Sequence, residues 1–482
     1  MSSTYQSIVC ALLLLILSVL QKEAAVAVVL IFLVGCVIWF QRALRRYERE
    51  RVCCCKPVTD ELLQQTSTDK TEHVSGGRQR DDGHWFSQTQ PFHVHVYSAF
   101  FDSRPTLRSQ PQLAVIAVLD RRLRRLWCHV WYSMAADDAV VLRGYPMPIG
   151  AGRVTEDGSD LVEYVVTCPV TTDRCVPVSV ALAWGGSVDE MTTFRVPVEL
   201  AENSSQRHDL AVCVSASFGE VDSRRLVEWL EMQWIVGAQL IVIYNHSVSA
   251  SVGHILSQYA DRDLSTRRVE LRQTRAFMSD LDVLLHMSPV INDCMYRFSA
   301  RFRYFAVIDF DEVIVPRRVH TVPALIDSLS SKNAVPVALF AFRNAYFFLD
   351  IPVDDVQGPS RPHAALSTYL VHRRRLTASP PAYSVKSVVS SEACVAMHNH
   401  YCWSYAADVL SDWTTRLDVE PQDALLHHYK RCHFDAYLKQ PGHCKSAMVA
   451  TVVDNVINKY TSSLADQLYM RYVQFNLTKS VS

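Results

Sequence analysis

The chain has 482 residues, of which 48 are basic and 49 acidic, giving a formal net charge of −1 at pH 7. This length allows two or three domains, and the balanced charge excludes a generally basic nucleic-acid-binding protein and an acidic solvating chain. The 15 glycines and 20 prolines are too few for a fibrous or low-complexity protein.

Two apolar runs occupy the N-terminus, at residues 8–20 and residues 24–40. The first is too short to span a bilayer, which needs about 20 helical residues. The second lies at the lower limit of that length and ends in Trp39-Phe40, a pair typical of a membrane interface. A signal peptide or a buried core helix is the alternative, but no basic segment precedes the first run. We therefore predict a membrane anchor in residues 1–40, with the transmembrane helix at about residues 24–40.

The orientation of this anchor stays open. Lys22 is the only basic residue before the second run, whereas five arginines follow it: Arg42, Arg45, Arg46, Arg49 and Arg51. The positive-inside rule would place the C-terminal part in the cytosol. Three N-x-[ST] sequons, at Asn203, Asn245 and Asn476, would be used only in a lumenal or extracellular chain, but that number is near chance.

The 14 cysteines are compatible with either a cytosolic or a lumenal chain. Residues 53–55 are three adjacent cysteines that would be S-acylated on the cytosolic side, or would be ordinary membrane-proximal thiols. Three later pairs are close enough in sequence for local disulfides in an oxidising lumen. These pairs are Cys168 with Cys175, Cys394 with Cys402, and Cys432 with Cys444. Zinc binding is the alternative, but no C-x2-C pair exists outside the triplet.

The rest of the chain divides by its hydrophobic pattern. Residues 41–90, polar and without periodicity over most of their length, are predicted to form a flexible stem. Residues 91–205 contain short alternating or β-branched runs at close spacing, which predict a small β-rich domain. Residues 206–450 alternate between strand-like and helix-like runs, and residues 451–482 form a C-terminal helix or tail.

The alternating pattern of residues 206–450 predicts an α/β fold with a mostly parallel sheet flanked by helices. In such sheets, ligands bind at the carboxyl ends of the strands. Three of the predicted strands end in polar side chains, at Ser215, Asn245 and Asp309.

The strongest local motif is a group of three acids, Asp309, Asp311 and Glu312, which interrupts an apolar strand. Carboxylates at positions i and i+2 share one side of a strand, so both can face one cation. Their oxygens suit Mg²⁺ or Mn²⁺, which can neutralise a diphosphate leaving group. One alternative is a strand end that simply becomes solvated. Another is a haloacid-dehalogenase-type phosphohydrolase with Asp309 as nucleophile and Asp311 as acid, but that motif normally opens its catalytic domain.

Several motifs, in order, resemble glycosyltransferase family 92. They are Val212-Cys213-Val214-Ser215, Leu226-Val227-Glu228-Trp229, Ile243-Tyr244-Asn245-His246-Ser247, Asn292-Asp293-Cys294-Met295-Tyr296-Arg297, the acidic strand of residues 305–316, Lys386-Ser387-Val388 and His427-His428-Tyr429-Lys430. The upstream residues 97–104 are similar to an N-terminal segment of that family. Lys430 departs from the pattern, since the family usually has an arginine there.

The resemblance implies a transferase with a GT-A-like fold, anchored in the Golgi membrane as a type II protein with a lumenal catalytic domain. It would transfer a hexose, galactose in known family members, from a UDP-sugar to a glycan acceptor with inversion. Asp309 would face the ribose or the metal. Asp311 would ligate Mn²⁺, or Mg²⁺, beside the diphosphate, and His428 would be a third ligand or a contact of the diphosphate.

The resemblance also implies donor contacts from residues on neighbouring elements. These residues are Ser215, Asn245, Asn292, Asp293 and Arg297, of which the last three could equally pack their own helix. Inversion needs a general base, for which Asp350 and Glu392 are the candidates. The alternative to an enzyme is a degenerate transferase that acts as a lumenal glycan-binding or scaffold protein. The sequence predicts neither the acceptor nor the oligomeric state.

Overall fold

The computed structural model describes the chain from Trp85 onward. The described residues are 85–475 and 477, without 105–109, 135–137, 151, 155–157, 172–175, 188–189, 202–206, 220, 261–266, 274–286, 351–367, 370, 407–408 and 432–449. The predicted anchor at residues 24–40 and nearly all of the predicted stem lie outside these residues, as do Asn203 and Asn476. Within the described ranges, no helix combines the length and the apolar composition needed to cross a membrane.

The N-terminal part of the described chain is a single sheet that closes on itself. Its strands are β1 (Phe86–Gln88), β2 (Val94–Asp102), β3 (Gln112–Asp120), β4 (Leu126–Trp131), β5 (Val140–Pro148), β6 (Arg153–Val154), β7 (Asp160–Pro169), β8 (Ser179–Ala183) and β9 (Val196–Leu200). The order is β1-β2-β3-β7-β5-β4-β8-β9, and β9 also pairs with β2, which closes the sheet. We call it the closed sheet.

The remaining strands build two further sheets and a hairpin. They are β10 (His208–Gly219), β11 (Leu240–Val248), β12 (Arg268–Gln273), β13 (Phe302–Val307), β14 (Glu312–Pro316), β15 (Leu339–Phe342), β16 (Asn344–Phe348), β17 (Arg373–Arg375), β18 (Lys386–Ser390), β19 (Cys394–Met397), β20 (Cys402–Tyr405), β21 (Leu417–Val419), β22 (Ala424–Lys430) and β23 (Thr451–Val453).

The central sheet has seven strands in the order β12-β11-β10-β13-β18-β15-β21. The strands β10 to β13 run parallel to one another, and β18 runs antiparallel to its neighbours β13 and β15. The second sheet has the order β14-β22-β16-β17-β23, and β19 and β20 pair as an antiparallel hairpin. The predicted α/β class is confirmed.

The helices are α1 (Ser223–Ile235), α2 (Ala250–Ala260), α3 (Met287–Phe298), α4 (Val322–Ser330), α5 (Val409–Asp412) and α6 (Thr461–Gln474), with a 3-10 helix at Val456–Tyr460. Asp222 caps the N-terminus of helix α1, because its side chain accepts hydrogen bonds from the backbone of Arg224 and Arg225. It is followed by Gly237 at φ +109°, where a Cβ atom would lie 2.7 Å from Cδ of Pro323. Glycine is therefore required after this helix, because other residues disfavour this φ angle and because a Cβ atom would collide with Pro323.

Alternate residues of the central strands enter two different hydrophobic clusters. Val212 and Ile241 pack with residues of α1 and α2. Cys213 and Tyr244 point to the opposite face, where they pack with α3 and with residues of the closed sheet such as Phe100. This alternation follows from the two-residue period of a strand, and it makes the closed sheet a cover for one face of the central sheet.

The disulfides differ in part from the pairs predicted by sequence distance. Cys394–Cys402 is present, which confirms that prediction. Cys168 bonds to Cys128 rather than to Cys175, because β4 and β7 bring both sulfurs into the core of the closed sheet. The bond Cys213–Cys294, which links β10 to α3, was not predicted. The cysteines at residues 53–55, 432 and 444 lie outside the described residues.

Candidate active site

The register of the parallel strands aligns three of the predicted polar positions at one edge of the central sheet. Cys213 on β10 lies opposite Val307 on β13, so Ser215 and Asp309 each follow this pair by two residues. Asn245 on β11 lies opposite Ser217, beside the same end of β10. Parallel strands that end together form the edge at which α/β folds bind ligands.

The segment from Asp309 to Glu312, which we call the acidic turn, connects β13 to β14. The backbone N–H of Glu312 donates to the carbonyl of Asp309 at 3.0 Å, which closes the turn. Glu312 lies opposite His428 in the pairing of β14 with β22. The backbone N–H of Tyr429 donates to the carbonyl of Asp311 at 2.7 Å. Strand pairing therefore holds His428 beside the acidic turn.

Asp311 and His428 form the central pair of the site. The Nε2 atom of His428 lies 3.1 Å from Oδ2 of Asp311, and Asp311 exposes 37% of its side chain. Burial acts to raise the pKa of Asp311, but the neighbouring His428 outweighs it, so this pKa lies below its ordinary value. Burial acts to lower the pKa of His428, and Asp311 with Glu312 more than offsets that effect. The pair thus favours a carboxylate beside a protonated imidazole.

Glu312 lies beneath this pair, 4% exposed, and contacts two cationic groups. Its Oε1 lies 3.4 Å from Nδ1 of His428, and its Oε2 lies 3.3 Å from Nζ of Lys386. Its backbone carbonyl accepts hydrogen bonds from the side chains of Trp229 and Gln233 on α1, at 2.8 and 3.0 Å. Burial raises the pKa of Glu312 to about 7, although Lys386 acts in the opposite direction.

Lys386 is the buried cation of the site, with 1% of its side chain exposed. Its ammonium donates to Oδ2 of Asp309 at 3.0 Å and to Oδ1 of Asn399 at 2.5 Å. Burial acts to lower the pKa of Lys386, but the carboxylates of Asp309 and Glu312 raise it above its ordinary value. The ammonium of Lys386 therefore balances the negative charge of Asp309.

The three predicted metal ligands do not form one group. Within the described residues, no cluster of three or more His, Cys, Asp or Glu side chains is arranged to hold a metal ion. Asp309 pairs with Lys386, while Asp311 and His428 pair with each other. Divalent cations at phosphate sites commonly use one or two protein ligands and complete their coordination with phosphate oxygens and water. Asp311 and His428 fit that kind of shared site.

A sequence model of glycosyltransferase family 92 matches residues 208–468, more than half of the chain. The chain belongs to this family. Over 113 residues it is 30% identical to the beta-1,4-galactosyltransferase galt-1 of Caenorhabditis elegans. That alignment covers 23% of this chain and 26% of the relative, so the chain spans about a quarter of the relative's length.

Similarity to solved structures is low. HddC from Yersinia pseudotuberculosis aligns at 13% identity over 46% of this chain and 93% of its own, with a TM-score of 0.23. The WbbM bifunctional glycosyltransferase aligns at 16% identity over 32% of this chain and 27% of its own, with a TM-score of 0.18. At these TM-scores the alignments carry no argument about the fold.

In this family 92 chain, the three α3 residues predicted to contact the donor form hydrogen bonds with other residues of the protein. The Asn292 side chain donates to the carbonyls of Ser288 and Met397 and accepts from the Met397 backbone, each at 2.8 Å. Asp293 accepts hydrogen bonds from Tyr244 at 2.6 Å and from Arg297 at 2.9 and 3.1 Å.

Arg297 also pairs with Glu199 of the closed sheet. These contacts are the ones expected of helix packing, the alternative weighed for α3 above. Donor contact by the three α3 residues stays a prediction. Within the C-terminal part of β11, Oδ1 of Asn245 accepts a hydrogen bond from the backbone N–H of Val248 at 3.2 Å.

The two candidates for the general base, Glu392 and Asp350, lie toward opposite ends of the central strand β13. Glu392 pairs with Arg207, and the next residue toward the N-terminus, Ser391, bonds to the backbone of Arg303 at the amino end of β13. This is the end of the strand away from the acidic turn. Asp350 follows β16, where Leu349 donates to the carbonyl of Lys430, on the side of the acidic turn. Of the two, only Asp350 lies on the side of the acidic turn, four positions beyond Tyr346, which pairs with His428.

Three residues of the site had no role predicted from the sequence: Lys386, Asn344 and Arg225. Lys386 is a single lysine within an apolar run, a signal that could have identified it. Asn344 is buried, its Nδ2 lies 3.1 Å from Nδ1 of His428, and its Oδ1 has no hydrogen-bond partner among the described residues. Arg225 on α1 donates to the carbonyl of Tyr429 at 3.1 Å and helps to lower the pKa of Asp311.

Proposed function

We propose that this chain has a GT-A-like fold and transfers a hexose, galactose, from a UDP-sugar to a glycan acceptor. The observation that carries the proposal is the Asp311–His428 pair, 3.1 Å apart, at the edge of the central sheet where Ser215 and Asn245 lie in the C-terminal halves of neighbouring strands. Membership of the family supports sugar transfer. The similarity to a galactosyltransferase, though limited to 113 residues, supports galactose as the transferred sugar.

A divalent cation, Mn²⁺ or Mg²⁺, would neutralise charge on the departing diphosphate when bound here. Asp311 would hold it through a carboxylate oxygen and His428 through Nε2. A histidine that binds metal through Nε2 carries its proton on Nδ1, and Oε1 of Glu312 at 3.4 Å is positioned to accept it. Lys386 compensates the charges of Asp309 and Glu312, so the site holds several acids without strong mutual repulsion.

The transfer forms a bond between an acceptor oxygen and the anomeric carbon as the bond to the diphosphate breaks. Inversion requires a base that removes the acceptor proton. Asp350 stays the candidate for this step, because Glu392 lies at the other end of β13 and pairs with Arg207.

We also propose a lumenal, type II orientation in the Golgi membrane, with residues 24–40 as the anchor. The disulfides Cys128–Cys168, Cys213–Cys294 and Cys394–Cys402 support an oxidising compartment. The arginines after residue 40 favour the opposite orientation. A mobility shift on endoglycosidase treatment, lost when Asn203 and Asn476 are both changed to Gln, would establish the lumenal side.

The direct test is an assay of the full chain with UDP-galactose, UDP-glucose and UDP-N-acetylglucosamine, with and without Mn²⁺, on a panel of glycans. We expect transfer from UDP-galactose and a loss of about 100-fold or more in Asp311→Asn and His428→Gln. The exposed Asp466→Asn is the matched control and should leave turnover unchanged. Absence of transfer and of donor hydrolysis in the unmodified protein would favour the scaffold alternative. A covalent aspartyl-phosphate at Asp309 would favour the phosphohydrolase.

A further inference from the structure

A group of aromatic side chains surrounds the tip of the hairpin formed by β19 and β20. The His398 and Tyr401 rings are stacked with centroids 4.6 Å apart and planes at 24°. Tyr401 and Trp403 are 5.7 Å apart at 22°. Trp403 has 42% of its surface exposed, whereas His398 and Tyr401 are half-buried. We call His398, Tyr401 and Trp403 the aromatic platform.

The hairpin is held by a disulfide between its strands and by hydrogen bonds at its tip. The Cys394–Cys402 disulfide joins its two strands. At the tip, Asn399 accepts a hydrogen bond from Lys386, and the backbone carbonyl of His400 accepts one from Ser387 at 2.6 Å. Nδ1 of His400 also lies 2.7 Å from the carbonyl oxygen of Val385. The platform is therefore a preorganised surface.

These contacts place the platform beside the acidic turn. Asn399, within the tip, and Asp309, within the turn, bond to the same ammonium group of Lys386. The strand order is β11-β10-β13-β18, so the acidic turn lies between the β10–β11 edge on one side and the β18 hairpin region on the other. Ser215 and Asn245 occupy the first side and the platform occupies the second.

We propose that the aromatic platform binds a pyranose ring of the glycan acceptor by stacking, with Trp403 as the main contact. This inference rests on the proposed function of the same site. Ligand sites combine aromatic walls with a few polar groups, and an aromatic face suits the apolar face of a neutral sugar. Burial lowers the pKa of His398 to about 4, so its ring is uncharged at neutral pH.

The test uses Trp403→Ala, Tyr401→Ala and the conservative Trp403→Phe in the full chain. Acceptors are a panel of free N-glycan, O-glycan and glycolipid oligosaccharides, and the donor is UDP-galactose with Mn²⁺. We expect Trp403→Ala to raise the acceptor KM about tenfold or more, since exposed aromatic residues often dominate binding. The donor KM should change less than twofold, and Trp403→Phe should recover most of the loss. Tyr469→Ala, 70% exposed on α6, is the matched control and should have no effect.

Two outcomes would overturn the inference while leaving the proposed function intact. One is an acceptor KM within twofold of the unmodified protein in both alanine variants. The other is a rise in the donor KM instead, which would assign the rings to the nucleotide. If the unmodified protein turns over no UDP-sugar, the proposed function fails by itself. Saturation-transfer NMR with the same oligosaccharides then tests the platform directly, because sugar binding lost in Trp403→Ala supports it and binding retained there contradicts it.

Discussion

Lys386 lies 3.0 Å from Asp309 and 3.3 Å from Glu312, so one buried ammonium joins the two acids that flank Asp311. These residues come from β18 and from the turn after β13, which are adjacent in the central sheet because β18 pairs antiparallel with β13. The arrangement separates the roles of the three acids. Asp309 and Glu312 are neutralised internally, and Asp311 is left with His428.

Lys386→Met should destabilise the fold and remove activity. The substitution removes the ammonium partner of Glu312. Because the pKa of this carboxyl is about 7, it can take up a proton, and we expect a cost of about 1–3 kcal/mol, typical of a buried polar group that loses its hydrogen-bond partner. We expect a corresponding loss in the free energy of unfolding, measured by urea denaturation. Lys332→Met, at an exposed position, is the control and should change stability by about 0.5 kcal/mol or less. Equal stabilities of the two variants would contradict the role of Lys386.

Glu312→Gln should weaken binding of Mn²⁺ about 10- to 100-fold without unfolding the protein. Glu312 contacts Nδ1 of His428 rather than the proposed cation position, so it orients the ligand, and such partners have effects of this size. Calorimetric titration with Mn²⁺ measures the change. Glu420→Gln, at an exposed position, is the control. Unchanged Mn²⁺ affinity in Glu312→Gln would show that His428 needs no such support.

Asp454 should make the fold sensitive to acid. Burial acts to raise the pKa of this carboxyl, but hydrogen bonds from Arg374 and Arg317 lower it to about 2. The stabilisation is complete above the unfolded value near 4 and is lost as the pH falls toward 2, in total about 2–3 kcal/mol. Unfolding free energies at pH 5 and pH 3 measure it. Asp454→Asn should be less stable at pH 5 and should show a smaller loss between the two values; an unaltered slope would contradict this.

Arg471→Ala should detach α6 from α1. Nε of Arg471 donates to Oε1 of the fully buried Glu231 at 2.6 Å, and Tyr259 donates to the same oxygen at 2.9 Å. Loss of the arginine leaves a buried carboxylate without a cation, so we expect about 3–5 kcal/mol of destabilisation in thermal unfolding. The double variant Arg471→Ala with Glu231→Gln should recover part of that loss. Additive effects of the two substitutions would exclude the coupling.

The sequence predicted the features that depend on local pattern. Apolar runs identified the parallel strands, and the polar residues that follow them identified the edge that carries Ser215, Asn245 and Asp309. The predicted strand ends at Ser215 and Asn245 were wrong, because β10 and β11 continue to Gly219 and Val248. The meeting of Asp311 and His428 was implied by resemblance alone, because no local rule connects residues 117 positions apart.

Contacts fixed by strand pairing could not be predicted. Lys386 reaches Asp309 across 77 positions only because β18 pairs with β13. Cys168 lies seven positions from Cys175, yet the closed sheet brings it to Cys128. Proximity in sequence is a weak guide where a sheet determines which side chains meet.

The closed sheet covers one face of the central sheet, and this limits where the chain can be truncated without loss of folding. Tyr97 and Phe100 of the closed sheet share a hydrophobic cluster with Cys213 and Tyr244 of the central sheet. The hydrophobic core is therefore continuous across the chain position at which β10 begins. A polypeptide beginning at His208 would contain the acidic turn yet expose one whole face of its sheet to water, where each uncovered large side chain costs about 1.5–3 kcal/mol. The smallest unit that folds on its own therefore includes the strands of the closed sheet, although they contribute no residue to the acidic turn. A fragment truncated at the start of β10 is expected to be insoluble.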